Sequence, residues 1–135
     1  MSKSNQTEND VLAAFLKGVL PAWIANPNVY VALHTADPGE AGNQSTSEAT
    51  YTNYARQTMV RASDWTDGGS TFTNANLVQF PQCGVTGNTI THVSIGELTS
   101  DAGQIFYSGA LNSPLDVANL IQPQFAAGAL SITED

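Results

Sequence analysis

Residues 29–39 read VYVALHTADPG, and this stretch decides the fold class. Val29, Val31 and Leu33 occupy every second position, which is the period of a strand with one buried face. Asp37-Pro38-Gly39 then ends the strand, because proline presets φ for a turn and glycine adopts the positive φ that other residues avoid. A loop rich in Ser, Thr, Asn and Gln follows. The stretch predicts a strand and a turn, and it contains no catalytic or phosphate-binding motif.

Five further stretches have strand composition and are separated by turn residues such as Asp67-Gly68-Gly69-Ser70. The predicted strands cover residues 29–35, 54–62, 70–80, 89–97, 104–111 and 129–133, and residues 115–125 hold two more short extended pieces. Short strands at such spacing favour two packed sheets or a closed sheet. We therefore predict a mainly β protein, an antiparallel β-sandwich or small barrel of about six to eight strands.

One N-terminal α-helix is predicted over residues 7–20. Its apolar side chains recur at helical spacing and form one stripe: Leu12, Phe15, Leu16, Val19, Leu20 and Trp23. Thr7 with Asp10 predicts a capping box at the start, and Pro21 ends the regular helix. We expect this helix to pack across an open face of the sheet or to project towards a neighbouring molecule. Residues 1–6 are expected to form a flexible arm, and residues 7–135 a single domain.

The charge balance excludes some classes of partner. Four Lys and Arg residues face twelve Asp and Glu residues, so the formal net charge is -8 and direct nucleic-acid binding is not expected. Charged residues make up 12% of the chain, against roughly 25% in ordinary proteins, which suits a surface that packs against other protein copies. Lys17 and Pro21 interrupt the longest apolar patch, so no membrane span is expected. The single Cys83 excludes an internal disulfide.

Catalytic chemistry finds little support in the sequence. His34 and His92 are the only imidazoles, and each fits a hydrogen-bonded strand residue better than a general base. Asp37, Glu40 and Glu48 are spread along a loop without the spacing of a calcium loop. We therefore predict a protein that is not an enzyme, with no catalytic residue, no metal and no cofactor.

Several residues are candidates for contacts between subunits: Asp37, Glu40, Tyr54, Arg56, Arg61 and Trp65. Arg56 and Arg61 are two of only four cations, and a guanidinium can hold a carboxylate of a neighbouring subunit in a fixed orientation. The alternative is an intrachain salt bridge to Asp64 or Asp67. The polar loop 37–50 is the segment that we expect to touch a neighbour.

The order of these segments resembles a family. The helix is followed by VYVALHTADPGEAGNQ, YTNYARQ, FTNANLVQFPQ, ITHVSIGE, AGQIFYSGAL and QPQFAAGALSITED. This series, over about residues 10–135, is similar to small structural proteins of tailed bacteriophages, which include decoration (cement), head-fibre and minor tail proteins.

The resemblance implies a virion component, assembled in the host cytoplasm. The first expectation is a capsid decoration protein that binds the assembled shell and bridges copies of the major capsid protein or other virion proteins. A homo-oligomer is expected, with a ring of three as the closed arrangement. The alternative is a head-fibre, tail-fibre or minor tail component with a receptor- or carbohydrate-binding role, for which Tyr51, Tyr54 and Trp65 are the available aromatic residues.

Overall fold

The computed structural model describes residues 1–134, which form ten strands, one α-helix and one 3-10 helix. The strands are β1 (Ser2–Lys3), β2 (Asn28–His34), β3 (Gln57–Val60), β4 (Trp65–Asp67), β5 (Thr71–Asn74), β6 (Val78–Gln79), β7 (Asn88–Gly96), β8 (Ile105–Val117), β9 (Gln124–Phe125) and β10 (Ser131–Thr133). Helix α1 covers Asn5–Lys17, and the 3-10 helix covers Ala22–Ala25. The prediction of a mainly β protein with one N-terminal helix is confirmed.

The largest sheet has five antiparallel strands in the order β1-β8-β7-β2-β3. Strand β2 lies inside this sheet, pairing Val31 with Ile95 of β7 and with Gln57 of β3. A second sheet has the order β10-β5-β4, and a two-stranded sheet pairs β6 with β9. Within residues 1–134 the sheets do not close into a barrel, so the architecture is sandwich-like.

Several strand bounds differ from the prediction, and two of the differences change the pairing of the strands. The predicted strand 70–80 is divided into β5 and β6, which belong to different sheets, because the Asn74 side chain donates to the carbonyls of Asn76 and Ala126 and turns the chain. Strand β8 extends beyond residue 111 and passes through Pro114. That proline is tolerated because β1 pairs only with Tyr107 and Ser108, which leaves the later part of β8 at a sheet edge.

The helix begins earlier than its sequence pattern indicates. Ser4 is the N-cap, its side chain accepting from the Thr7 amide, and Gly18 at φ 67° ends the helix. The predicted capping box of Thr7 and Asp10 is therefore wrong. Residues 1–6, which we expected to form an arm, instead contribute β1 and the first turn of α1. None of the helices in residues 1–134 has the length and hydropathy needed to span a bilayer.

The second half of β2 is buried on both faces, which the alternating pattern did not predict. Ala32 and His34 are fully buried along with Leu33, because the loop after the strand folds back over it. The Ala49 amide donates to the Leu33 carbonyl, and the Thr35 amide donates to the Ser47 carbonyl. The second half of the loop 37–50 is thus bonded to β2, while Asp37, Gly39, Glu40 and Ala41 stay exposed, and the contact of this loop with a neighbour remains a prediction.

His34 is an internal hydrogen-bonding residue of this core. Its Nδ1 donates to the Thr46 carbonyl at 2.8 Å, and its Nε2 accepts from the Ser94 hydroxyl at 2.7 Å. Burial lowers the pKa of His34 from its ordinary value of 6.5. The histidine is therefore neutral in the folded protein at pH values where it is already charged in the unfolded chain.

Acidification is accordingly expected to destabilise the fold through His34. Below pH 6.5 the unfolded chain binds a proton that the folded protein does not, so stability falls by about 1.4 kcal/mol per pH unit until the folded pKa is reached. The measurement is guanidinium unfolding at pH 7.5 and 5.5. A His34→Asn variant should lose this pH dependence, whereas His92→Asn should keep it. An equal slope in the His34→Asn variant would show that another group is responsible.

Candidate functional site

The outer side of α1 and of the segment after it is an exposed apolar surface, which we call the α1 face. Its members are Leu12 (57% exposed), Phe15 (83%), Leu16 (79%), Val19 (58%), Leu20 (67%) and Ile24 (48%). A soluble monomer rarely exposes so many large apolar side chains side by side. Burying a side chain of this size stabilises by about 1.5–3 kcal/mol, so a partner that covers this face gains considerable free energy.

The α1 face points outward because the helix is attached by its polar N-terminal turn. Ser4 and Thr7 both donate to the Ile105 carbonyl, at 2.5 and 2.8 Å. Thr7 is the one buried residue of α1. Further along, Trp23 Nε1 donates to Asp10 at 2.8 Å and holds the 3-10 helix against α1. Polar contacts thus fix the helix on the domain while its apolar stripe remains open to solvent.

The charge distribution along this segment is uneven. Among positions 11–36, Lys17 is the single Lys, Arg, Asp or Glu residue, and it lies at the C-terminal end of α1. Glu8 and Asp10 lie in the first turns of the helix. Burial raises the pKa of Asp10, but hydrogen bonds from Gln104, Trp23 and Gln6 outweigh this and lower it, so its carboxylate is charged at neutral pH.

A concave cleft of about 420 Å³ lies between the five-stranded sheet, α1 and the β10-β5-β4 sheet. Its walls are mainly apolar and aromatic. The aromatic residues that line it are Trp23, Trp65, Phe72, Phe106 and Tyr107. Trp23 and Phe106 contact each other with ring centroids 4.5 Å apart. Aromatic walls around a few polar groups are the usual composition of a small-molecule site.

Arg61 is the cation of this cleft. Its guanidinium carbon lies 5.4 Å from the ring centroid of Trp23 and 5.8 Å from that of Phe106, within cation–π range. Its Nη2 reaches the Trp23 carbonyl at 3.3 Å, and its Nη1 reaches the Ile24 carbonyl at 3.5 Å. Burial lowers the pKa of Arg61, yet the group stays protonated because arginine titrates far above neutral pH.

The rim of the cleft carries a second polar group. Glu134 accepts two hydrogen bonds from Lys3, at 2.8 and 2.7 Å, and one from the Tyr107 hydroxyl. The hydrogen bonds from Lys3 and Tyr107 lower the pKa of Glu134. Burial and the Glu134 carboxylate raise the pKa of Tyr107. This carboxylate is therefore charged, and its charge is already compensated within the chain.

Arg56 makes intrachain contacts, where we had predicted a contact between subunits. Its guanidinium forms a bidentate pair with Glu48, with Nε–Oε1 at 2.7 Å and Nη2–Oε2 at 2.8 Å, and its side chain is only 2% exposed. It also donates to the carbonyls of Leu98 and Asp101, at 2.9 and 2.7 Å. The intrachain alternative named the wrong partners, because Asp64 instead accepts from the Val60 amide and Asp67 from the Gly69 amide.

The other predicted contact residues are scattered over the molecule. Asp37 and Glu40 are exposed in the loop, where Asp37 accepts from the Gly39 amide and shapes the predicted turn. Tyr54 is directed into the core, donating to Glu48 and accepting from the Leu33 amide. Of the six residues, Arg61 and Trp65 come together in the cleft. The groove proposed from Tyr51, Tyr54 and Trp65 does not form, since Tyr51 is buried in the core.

The remaining chemically interesting residues do not assemble into a site. Within residues 1–134 no group of three or more His, Cys, Asp and Glu side chains is placed to hold a metal ion. Cys83 is buried, with its sulfur 3.4 Å from the Gly84 and Thr86 carbonyls. His92 contacts the Thr91 hydroxyl at 2.8 Å.

Sequence reasoning missed most of the cleft. Phe72, Phe106, Ile132 and Trp23 come from elements far apart in the chain, and each fits an ordinary core residue in its own segment. The α1 face was visible in the sequence as a helical stripe. The stripe alone does not show whether the helix packs across the sheet or projects towards a neighbouring molecule, because the surface that covers it can belong to either chain.

Comparison with known proteins places the chain in a family. No match was found among curated proteins. A family model described as "Podophage GP4 fiber I protein gp80" matches residues 2–133, almost the whole chain. The match covers the helix, the sheets and the cleft apart from Glu134, and it fits the resemblance to small structural proteins of tailed phages. The chain therefore belongs to the podophage fibre protein family represented by GP4 fiber I protein gp80.

Proposed function

We propose that this protein is a non-enzymatic subunit of a podophage fibre and assembles with other copies of itself through the α1 face. The observation that carries the proposal is the exposed apolar stripe of α1 in a member of a fibre protein family. A fibre is built from repeated contacts between subunits. Such a contact buries apolar surface that is exposed to solvent on the free subunit. The virion containing it would be assembled in the host cytoplasm.

Charge supports a second copy as the occupant of the α1 face. Two chains of net charge -8 repel each other, and they approach with least repulsion where the contact surface lacks carboxylates. An antiparallel pair of α1 helices centred between Ala13 and Ala14 sets Leu12 opposite Phe15 of the other copy. Lys17 and Asp10 lie on the opposite side of α1 from this stripe, so they stay outside the contact. The contact is then apolar from Leu12 to Val19, with Glu8 on the same side of the helix near its N-terminal end.

Large side chains form the proposed contact. Leu12, Phe15, Leu16 and Val19 share one exposed stripe of α1 and the segment after it, whereas Ala13 and Ala14 lie on the half-buried side of the helix. Higher closed assemblies, including the ring of three expected from the sequence, use the same surface with a different symmetry. Light scattering therefore has to measure the number of subunits in the assembly.

Capsid decoration, the first expectation from the sequence, predicts a different location. A decoration protein binds the shell at regular positions, whereas a fibre subunit is confined to the projections. The description of the matched family as a fibre protein supports the fibre role better than decoration. In a decoration role the α1 face would contact the major capsid protein instead of another copy.

Gold-labelled antibodies against the protein, applied to intact virions, test the proposed location. We expect label on fibres and none spread over the shell. A parallel experiment mixes the purified protein with undecorated shells and sediments them, and we expect the protein to stay in the supernatant. Label over the whole shell together with co-sedimentation would overturn the fibre proposal and establish decoration.

A further inference from the structure

The aromatic cleft is a separate feature from the α1 face and has the properties of a ligand site. Its floor is formed by buried side chains of the five-stranded sheet, including Val29, Ile95 and Phe106, so the fold itself maintains its shape. Trp65 and Phe72 lie on β4 and β5 at the opposite wall, and Phe72 is 41% exposed. The volume of about 420 Å³ suits one sugar ring or a ligand of similar size.

Arg61 lacks the partner that an arginine in such a place normally has. Within residues 1–134 no carboxylate oxygen lies within 4 Å of its guanidinium nitrogens. Its Nε is buried without a hydrogen-bond partner, and its two other contacts are long ones to backbone carbonyls. Arg56, in contrast, has its donors directed at Glu48 and two carbonyls. A cation over aromatic faces with donors left over is suited to an anionic ligand.

The rest of the lining indicates what that anion carries. Thr7, Ser70 and Tyr107 place hydroxyl groups in the cleft, and Glu134 adds carboxylate oxygens at its rim. These groups are suited to the hydroxyls of a ligand, while the aromatic walls are suited to the apolar C–H face of a ring. Glu134 already pairs with Lys3, so its charge repels an incoming carboxylate less than a free carboxylate would.

We propose that this cleft binds a hexuronic-acid unit of an acidic polysaccharide, with the sugar ring against Trp65 and Phe72 and the sugar carboxylate on Arg61. The proposal goes beyond the assembly role and does not depend on it. An acidic peptide has the charge but lacks the ring, and a neutral sugar has the ring but lacks the charge. Arg61 and the aromatic walls therefore distinguish between the three ligands.

The test is a titration of the purified protein, followed by isothermal calorimetry and by saturation-transfer NMR. The probes are oligoglucuronate, a neutral glucose oligomer of equal length, and an oligoglutamate peptide. We expect saturable binding of oligoglucuronate, roughly tenfold tighter than binding of either other probe, because a charge-assisted bidentate contact and ring stacking are both needed. Stronger binding of the peptide or of the neutral sugar, or no binding of any probe, would overturn the proposal.

Variants locate the bound probe. Arg61→Gln and Phe72→Ala should each weaken oligoglucuronate binding roughly tenfold, whereas Lys17→Gln, which removes a charge outside the cleft, should not change it. Circular dichroism and thermal melting check that each variant is folded. If Arg61→Gln does not fold, Phe72→Ala and the comparison of charged with neutral oligomers still decide the outcome. Unchanged affinity in Phe72→Ala would exclude the cleft as the site.

Discussion

Phe15→Glu combined with Leu16→Glu is expected to abolish self-association of the protein without unfolding it. Both side chains are about four-fifths exposed, so the change removes few contacts within the monomer. Glutamate is a good helix former, and α1 should therefore persist. In the assembled state the same positions lie at the centre of the proposed contact, where buried carboxylates without partners are strongly unfavourable.

Light scattering coupled to size-exclusion chromatography, over a range of protein concentrations, measures this effect. The wild-type protein should elute as an oligomer and the double variant as a monomer. Val85→Glu is the matched control, since Val85 is 87% exposed and belongs to the loop between β6 and β7 instead of α1, and it should leave the oligomer intact. A wild-type protein that is monomeric at every concentration would contradict self-assembly, as would an oligomer that survives the double change.

Arg56→Met is expected to lower the free energy of unfolding by about 3–5 kcal/mol, as is typical when one partner of a buried ion pair is removed. The change leaves the Glu48 carboxylate without its bidentate partner and removes one donor from each of the carbonyls of Leu98 and Asp101. Gln44 is bonded to the same turn through Leu98, so its packing should loosen as well. The measurement is guanidinium unfolding followed by tryptophan fluorescence.

Lys3→Met is the control for this experiment, because it breaks an exposed ion pair with Glu134, between side chains that are 25% and 48% exposed. Exposed pairs contribute about 1 kcal/mol or less, so the loss should be small. Combining Arg56→Met with Glu48→Gln should recover part of the stability by removing the uncompensated charge. A loss below 1 kcal/mol in Arg56→Met, with a changed oligomeric state, would restore the original assignment of Arg56 to a subunit contact.

Local sequence patterns predicted where strands and turns lie, but they did not predict which side chains are buried. The alternation in residues 29–35 located β2, and Asp67-Gly68-Gly69-Ser70 located the hairpin between β4 and β5. The same alternation failed to show that His34 is buried, because the cover comes from a loop folding back onto the strand. A pattern reports the faces of an element, whereas burial depends on what other segments place against those faces.

The sequence by itself determined the β class, the helix, the acidic and charge-poor surface, and the resemblance to phage structural proteins. These follow from periodicity, turn residues and composition, which are local or summed properties of the chain. The tertiary structure alone decided that Arg56 is internal, that the α1 face is exposed, and that Arg61 and Trp65 share a cleft with Phe72 and Phe106. The reason is that side chains distant in sequence come together only when the sheets pack, and packing depends on every element at once.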